Sequence, residues 1–81
     1  MDLEIEKEVK VRKDNLYVYA DKYKLTNLTL DLWTSELFID VVFYKNNSAI
    51  LLKRYTIPTE KGKIDIDVDK IIDELHITID G

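Results

Sequence analysis

Cysteine is absent from this chain, and histidine occurs once, as His76. No disulfide can stabilise the fold, and the Cys/His quartet of a structural zinc site cannot be assembled. Thiol catalysis is excluded on the same ground. A lone histidine between Leu75 and Ile77 reads as a surface residue or a satisfied boundary residue rather than a general base. Ser35 and Ser48 fall in turn-like contexts with no nucleophile elbow around them. Glycine (two residues) and proline (one) are scarce, so the turns must rest on Asn, Asp and Ser. Lys61-Gly62-Lys63 lacks both the upstream glycine and the following Ser/Thr of a phosphate loop. No stretch approaches the ~20 apolar residues of a membrane span. Met1-Asp2-Leu3-Glu4 has neither the basic start nor the apolar run of a secretory signal, so the expected location is the cytoplasm or a larger assembly. Positive charge is also in deficit. The net charge of −4 disfavours a general nucleic-acid binder, whose affinity comes from neutralising phosphates.

What is present is a globular balance: 46% apolar and 35% charged residues in an 81-residue chain, long enough for one domain. A domain of this size buries only about 60–65% of the surface its unfolded chain exposes. Good packing or association with another chain must therefore supply its stability. Val, Ile and Thr together number 22, and they favour strands.

Period-two alternation places the strands. Leu3, Ile5, Val9 and Val11 face one way along a first strand, with Lys7 interrupting, and Glu4, Glu6, Glu8, Lys10 and Arg12 face the other. Lys13-Asp14-Asn15 forms a turn, Leu16–Tyr23 a second strand, and Leu28, Leu30 and Leu32 the inward side of a third. Thr34-Ser35 is a turn. Glu36–Lys45 and Ala49–Ile57 then make a hairpin about Asn46-Asn47, both residues suiting a type I′ turn. After Pro58 and a turn at Glu60-Lys61-Gly62, Ile64, Ile66 and Val68 alternate with aspartates. Asp69 is placed to cap a short helix through Leu75, and His76–Asp80 alternates again with Ile77 and Ile79 inward. The expected fold is a mainly β protein, a small antiparallel β-sandwich or barrel of six to seven strands with one short helix near the C-terminus. The competing arrangement is a compact β-α-β tail, whose connection is shorter than a parallel crossover needs.

Three clusters invite a chemical reading, and each has a simpler one. Asp65-Ile66-Asp67-Val68-Asp69 begins like a calcium loop, but Lys70 stands where that loop needs glycine and His76 where it needs glutamate. A solvated strand face accounts for these residues, and no metal or cofactor is expected. Glu4, Glu6 and Glu8 with the Asp65–Asp69 row space acids as phosphates are spaced in a nucleic acid, yet Lys10, Arg12, Lys61, Lys63 and Lys70 interrupt them. A turn at Asp14-Asn15 sets Arg12 opposite Tyr17 and Lys10 opposite Tyr19, cations beside rings as in strand-binding β-domains. Ordinary cross-strand pairing explains the same four residues.

The main hairpin carries the functional expectation. In the register set by Asn46-Asn47, Val41 faces Leu52 and Phe43 faces Ile50 on the core side. Phe38 faces Tyr55, Val42 faces Leu51, Tyr44 faces Ala49 and Asp40 faces Lys53 on the other side. A small two-layer domain covers only one of these faces. Phe38, Val42, Tyr44, Leu51 and Tyr55 are therefore the candidate partner-binding residues. The expected function is a non-catalytic protein-binding or structural module, working with a protein partner, as a homo-oligomer or as a subunit of a larger assembly. The alternatives are a small acidic inhibitor that mimics nucleic acid, of the kind phages and mobile elements encode, and an oligonucleotide-binding β-domain.

Overall fold

The computed structural model describes residues 3–58 and 68–80. Among the described residues six strands precede one helix: β1 (Leu3–Ile5), β2 (Val9–Lys13), β3 (Leu16–Ala20), β4 (Lys22–Asp31), β5 (Glu36–Lys45), β6 (Ser48–Pro58) and α1 (Val68–Asp80). They form two antiparallel sheets, a four-stranded one in the order β1-β4-β5-β6 and a two-stranded one, β2-β3. The expectation of a mainly β fold with one short C-terminal helix is met. The second layer, however, is shared between β2-β3 and α1, which touches both β2 and β6. The expected turn at Glu60-Lys61-Gly62 and the strand through Ile64 and Ile66 lie outside the described residues.

Three departures from the sequence pattern shape the architecture. The first strand is broken at Glu6-Lys7-Glu8, so that β1 pairs with β4 and β2 with β3. Lys7, a charged residue at a position in phase with the apolar side, marks the break. The segments expected as parts of two strands, up to Tyr23 and from Leu28, are joined in one strand, β4. A β-bulge at Thr26 lets both halves use one face: Tyr23, Leu25, Leu28 and Leu30 oppose Phe43, Val41, Ile39 and Leu37. Leu32 is not inward. It and Trp33 stand 75% and 95% exposed in the β4–β5 turn. Asp31 builds that turn by accepting the Trp33 and Thr34 amides through Oδ1, at 2.9 and 3.3 Å.

The third departure is in the main hairpin. Asn46 and Asn47 take φ of 52° and 63°, as a type I′ turn demands, and Lys45↔Ser48 and Tyr44↔Ala49 pair as expected. Ile50 is then bulged out, and Phe43 pairs with Leu51 instead of Ile50. A one-residue slip exchanges the faces of every later residue on the strand. Leu51, Lys53, Tyr55 and Ile57 consequently face inward, while Leu52, Arg54 and Thr56 face outward beside Val42, Asp40 and Phe38. The slip buries Tyr55 and Ile57 and turns the charged Arg54 outward.

The inner face of the four-stranded sheet is the core. Tyr23, Leu25, Leu37, Ile39, Val41, Phe43, Tyr55 and Ile57 are buried on it, joined from the second layer by Val11, Ala20, Leu75 and Ile79. Lys53 points inward from the edge strand β6 and donates to the Arg12 carbonyl at 3.0 Å. An inward lysine, a bulge and the terminal Pro58 are devices that keep an exposed edge from recruiting a foreign strand.

The helix runs through His76–Asp80, which the sequence pattern placed in a strand. Four-residue spacing explains it: Ile71, Leu75 and Ile79 share a face, Leu75 and Ile79 are buried, and Ile77 is 69% exposed. Asp69 lies in the first turn of the helix, where a carboxylate opposes the positive dipole end, rather than before it as a cap. Ile79→Ala is expected to cost about 2–4 kcal/mol and Ile77→Ala less than ~0.5 kcal/mol, measured by urea unfolding. Equal losses at the two positions would mean that the segment alternates as a strand.

Tyr55 packs edge-on against Phe43, with ring centroids 6.4 Å apart. Its hydroxyl is buried with no hydrogen-bond partner among the described residues. Burial pushes its pKa up to about 12. A folded-state value above the unfolded value of about 10 gives stability that is whole below pH 10 and is lost as pH rises toward 12. Tyr55→Phe should leave the protein as stable, or more stable by about 1 kcal/mol, at neutral pH. It should also unfold at a higher alkaline midpoint, read by circular dichroism; a lower midpoint would show that the hydroxyl has a partner.

Candidate functional site

The outer face of the four-stranded sheet is built from the alternate residues of β4, β5 and β6. Phe38, Asp40, Val42 and Tyr44 run along its central strand. Cross-strand neighbours flank each: Thr29 and Thr56 beside Phe38, Asn27 and Arg54 beside Asp40, Lys24 and Leu52 beside Val42. Phe38, Val42 and Tyr44 are half-buried by these neighbours and stand outside the core cluster. Leu52 is 66% exposed. Of the five residues expected to meet a partner, three therefore share this face, while Leu51 and Tyr55 lie on the opposite one because of the Ile50 bulge. Leu52 takes the place expected for Leu51. Trp33 is an exposed ring at the β4–β5 tip; its position between the turn-forming Asp31 and Ser35 was the available signal.

A polar group divides the face. Arg54 donates to both Asp40 oxygens, Nε to Oδ1 at 2.8 Å and Nη2 to Oδ2 at 3.2 Å. Asn27 donates its amide to Oδ2 at 3.0 Å. The slip in register thus pairs Asp40 with Arg54 in place of the expected Lys53, and a planar guanidinium fits a carboxylate better than an ammonium does. Arg54, then Asn27, hold the Asp40 carboxyl below the ordinary aspartate range. Such a group contributes stability above about pH 3.9 that is lost as pH falls through its lower folded value. The decline in stability between pH 5 and pH 2.5 should be smaller in Asp40→Asn than in the wild type, by urea unfolding at each pH. An identical decline would show that the pair contributes nothing in solution.

The β2-β3 hairpin forms as its sequence suggested. Asp14 takes a φ of 55° in the turn, Lys10 pairs with Tyr19 and Arg12 with Tyr17. All four side chains are exposed, the tyrosines 50% and 62%. The ammonium of Lys10 lies 4.2 Å from the centroid of the Tyr17 ring.

His76 is a satisfied boundary residue. Its half-buried ring stands edge-on to Tyr23, with centroids 5.7 Å apart. Nε2 is hydrogen-bonded to the Tyr23 hydroxyl, and Nδ1 lies 3.2 Å from the Lys7 ammonium. An ammonium has no lone pair to offer, so Nδ1 accepts and the ring proton sits on Nε2, donating to the Tyr23 oxygen. Among the described residues no group of His, Asp and Glu is arranged to hold a metal ion, and no helix is long and apolar enough to cross a membrane. Comparison with protein-family models, curated proteins and solved structures returned no match to this chain.

Proposed function

We propose that this domain is a non-catalytic module that works by protein–protein contact through the outer face of its four-stranded sheet. The observation that carries the reading is the row Phe38, Val42 and Leu52, apolar side chains that belong to no part of the core cluster. An open antiparallel sheet normally alternates apolar-in with polar-out, so a phenylalanine, a valine and a leucine on the solvent side call for a cover. Trp33 and Leu32 at the β4–β5 tip extend the apolar surface beyond the strands, and tryptophan is enriched among the residues that dominate binding energy. The Asn27–Asp40–Arg54 group within the face is already internally paired, so covering it leaves no bare charge. The occupant is a second copy or a partner chain.

Light scattering coupled to size exclusion tests this on the wild type and on Val42→Asp with Leu52→Asp. Because both side chains face outward, the double variant should fold. A wild-type oligomer that becomes a folded monomer supports a second copy as the occupant. For a monomeric wild type, a native-host pull-down that captures one partner in fixed stoichiometry, and loses it in the double variant, supports a partner chain. A monomer whose double variant unfolds would overturn the proposal, since the face would then be part of the core.

A further inference from the structure

Beyond the sheet face, the other layer of the molecule holds a surface of different chemistry. The outward side chains of β2-β3 run into a cavity of about 640 Å³. Lys10 and Tyr19 belong to both, and Lys7, Lys45 and His76 line the cavity from the β1–β2 linker, the end of β5 and α1. Lys7, Lys10, Arg12 and Lys45 gather here against the carboxylates Glu8, Asp14 and Asp21, in a chain whose net charge is −4. One oxygen of Asp21 is already taken by the Asn46 amide at 2.9 Å. The two ion pairs among the described residues, Lys22–Glu4 and Arg54–Asp40, use none of these four cations. Several cations outside any ion pair among the described residues thus gather on one surface of an acidic protein, and two exposed rings lie within it.

We infer that this surface binds a short single strand of nucleic acid. Tyr17 and Tyr19 are two positions apart on one strand face, about 6.7 Å, which seats one base on each ring. Open bases stack on aromatic rings whatever their identity, while cations alongside track the phosphates. Lys10 and Arg12, directly across the hairpin from the two rings, are placed for the backbone. A base laid on Tyr17 displaces the Lys10 ammonium from that ring and frees it for a phosphate. Arg12 gives only its Nε to the Asp14 carbonyl, at 3.3 Å, leaving both Nη groups for a second phosphate. The strand then continues past Tyr19 into the cavity, where Lys7 and Lys45 meet the next phosphate. A duplex offers no open base faces to the rings, and a base-free polyanion has nothing to stack.

Fluorescence anisotropy with labelled ten-nucleotide thymidine and uridine strands tests the inference, with a duplex of the same length and unlabelled polyphosphate as competitors. The expected result is saturable binding at 50 mM salt with half-saturation below about 100 µM, weakening as salt rises. Single strands should compete at least tenfold better than polyphosphate of equal charge. Tyr17→Ala with Tyr19→Ala should weaken binding at least tenfold. Lys10→Glu with Lys45→Glu, which leaves the rings in place, should do the same if the aromatic variant proves unstable. Lys24→Ala, on the opposite sheet face, should change nothing. Absence of saturable binding, equal competition by polyphosphate or duplex, or indifference to both double variants would overturn the inference.

Discussion

Three long strands must deliver their apolar side chains to one face of one sheet, and the rest of the molecule depends on how they do so. Strict alternation serves β5, where Leu37, Ile39, Val41 and Phe43 are all in phase. It fails for β4 and β6, whose apolar residues change phase part-way. Bulges at Thr26 and Ile50 each insert one residue and restore the common face. Without the second bulge Tyr55 and Ile57 would point to solvent and Leu52 and Arg54 into the core. An unpaired arginine there would be costly enough to forbid the alternative register.

With that face assembled, the second layer follows from what must cover it. A four-stranded sheet needs more cover than a two-stranded hairpin provides, and among the described residues α1 adds to it through Leu75 and Ile79. The break at Glu6-Lys7-Glu8 makes this possible, since it frees β2 from the line of β1 to fold across the sheet with β3. Lys53 ties the two layers together at the β6 edge, and His76 does so near β4 through Tyr23. Both are polar links at the rim of an apolar core, where partial exposure keeps their desolvation small.

Two surfaces of unlike character result. The outer sheet face is apolar around an internally paired carboxylate, which suits a protein surface; the hairpin and its cavity carry unpaired cations beside exposed rings, which suits a phosphate backbone and bases. They lie on opposite layers, so occupation of one leaves the other open.

Much of this was legible in the residues themselves. The type I′ turn at Asn46-Asn47, the β2-β3 register from Asp14-Asn15, the exposure of Tyr17 and Tyr19 and the satisfied role of His76 all follow from local chemistry: positive-φ tolerance in Asn and Asp, alternation over short spans, and the scarcity of groups able to act as catalysts. Phe38, Val42 and Tyr44 were legible too, because they lie on the one strand whose alternation is unbroken. Only the tertiary structure decided the faces of Leu51, Leu52 and Tyr55, the pairing of Asp40 with Arg54, and the helical state of His76–Asp80. A bulge has no reliable local signal, since its energy comes from the burial it permits several residues away. Ile77 and Ile79 fit period two as well as Leu75 and Ile79 fit a spacing of four, and the helix is the arrangement that buries Leu75 and Ile79 together in the core while Ile77 faces out.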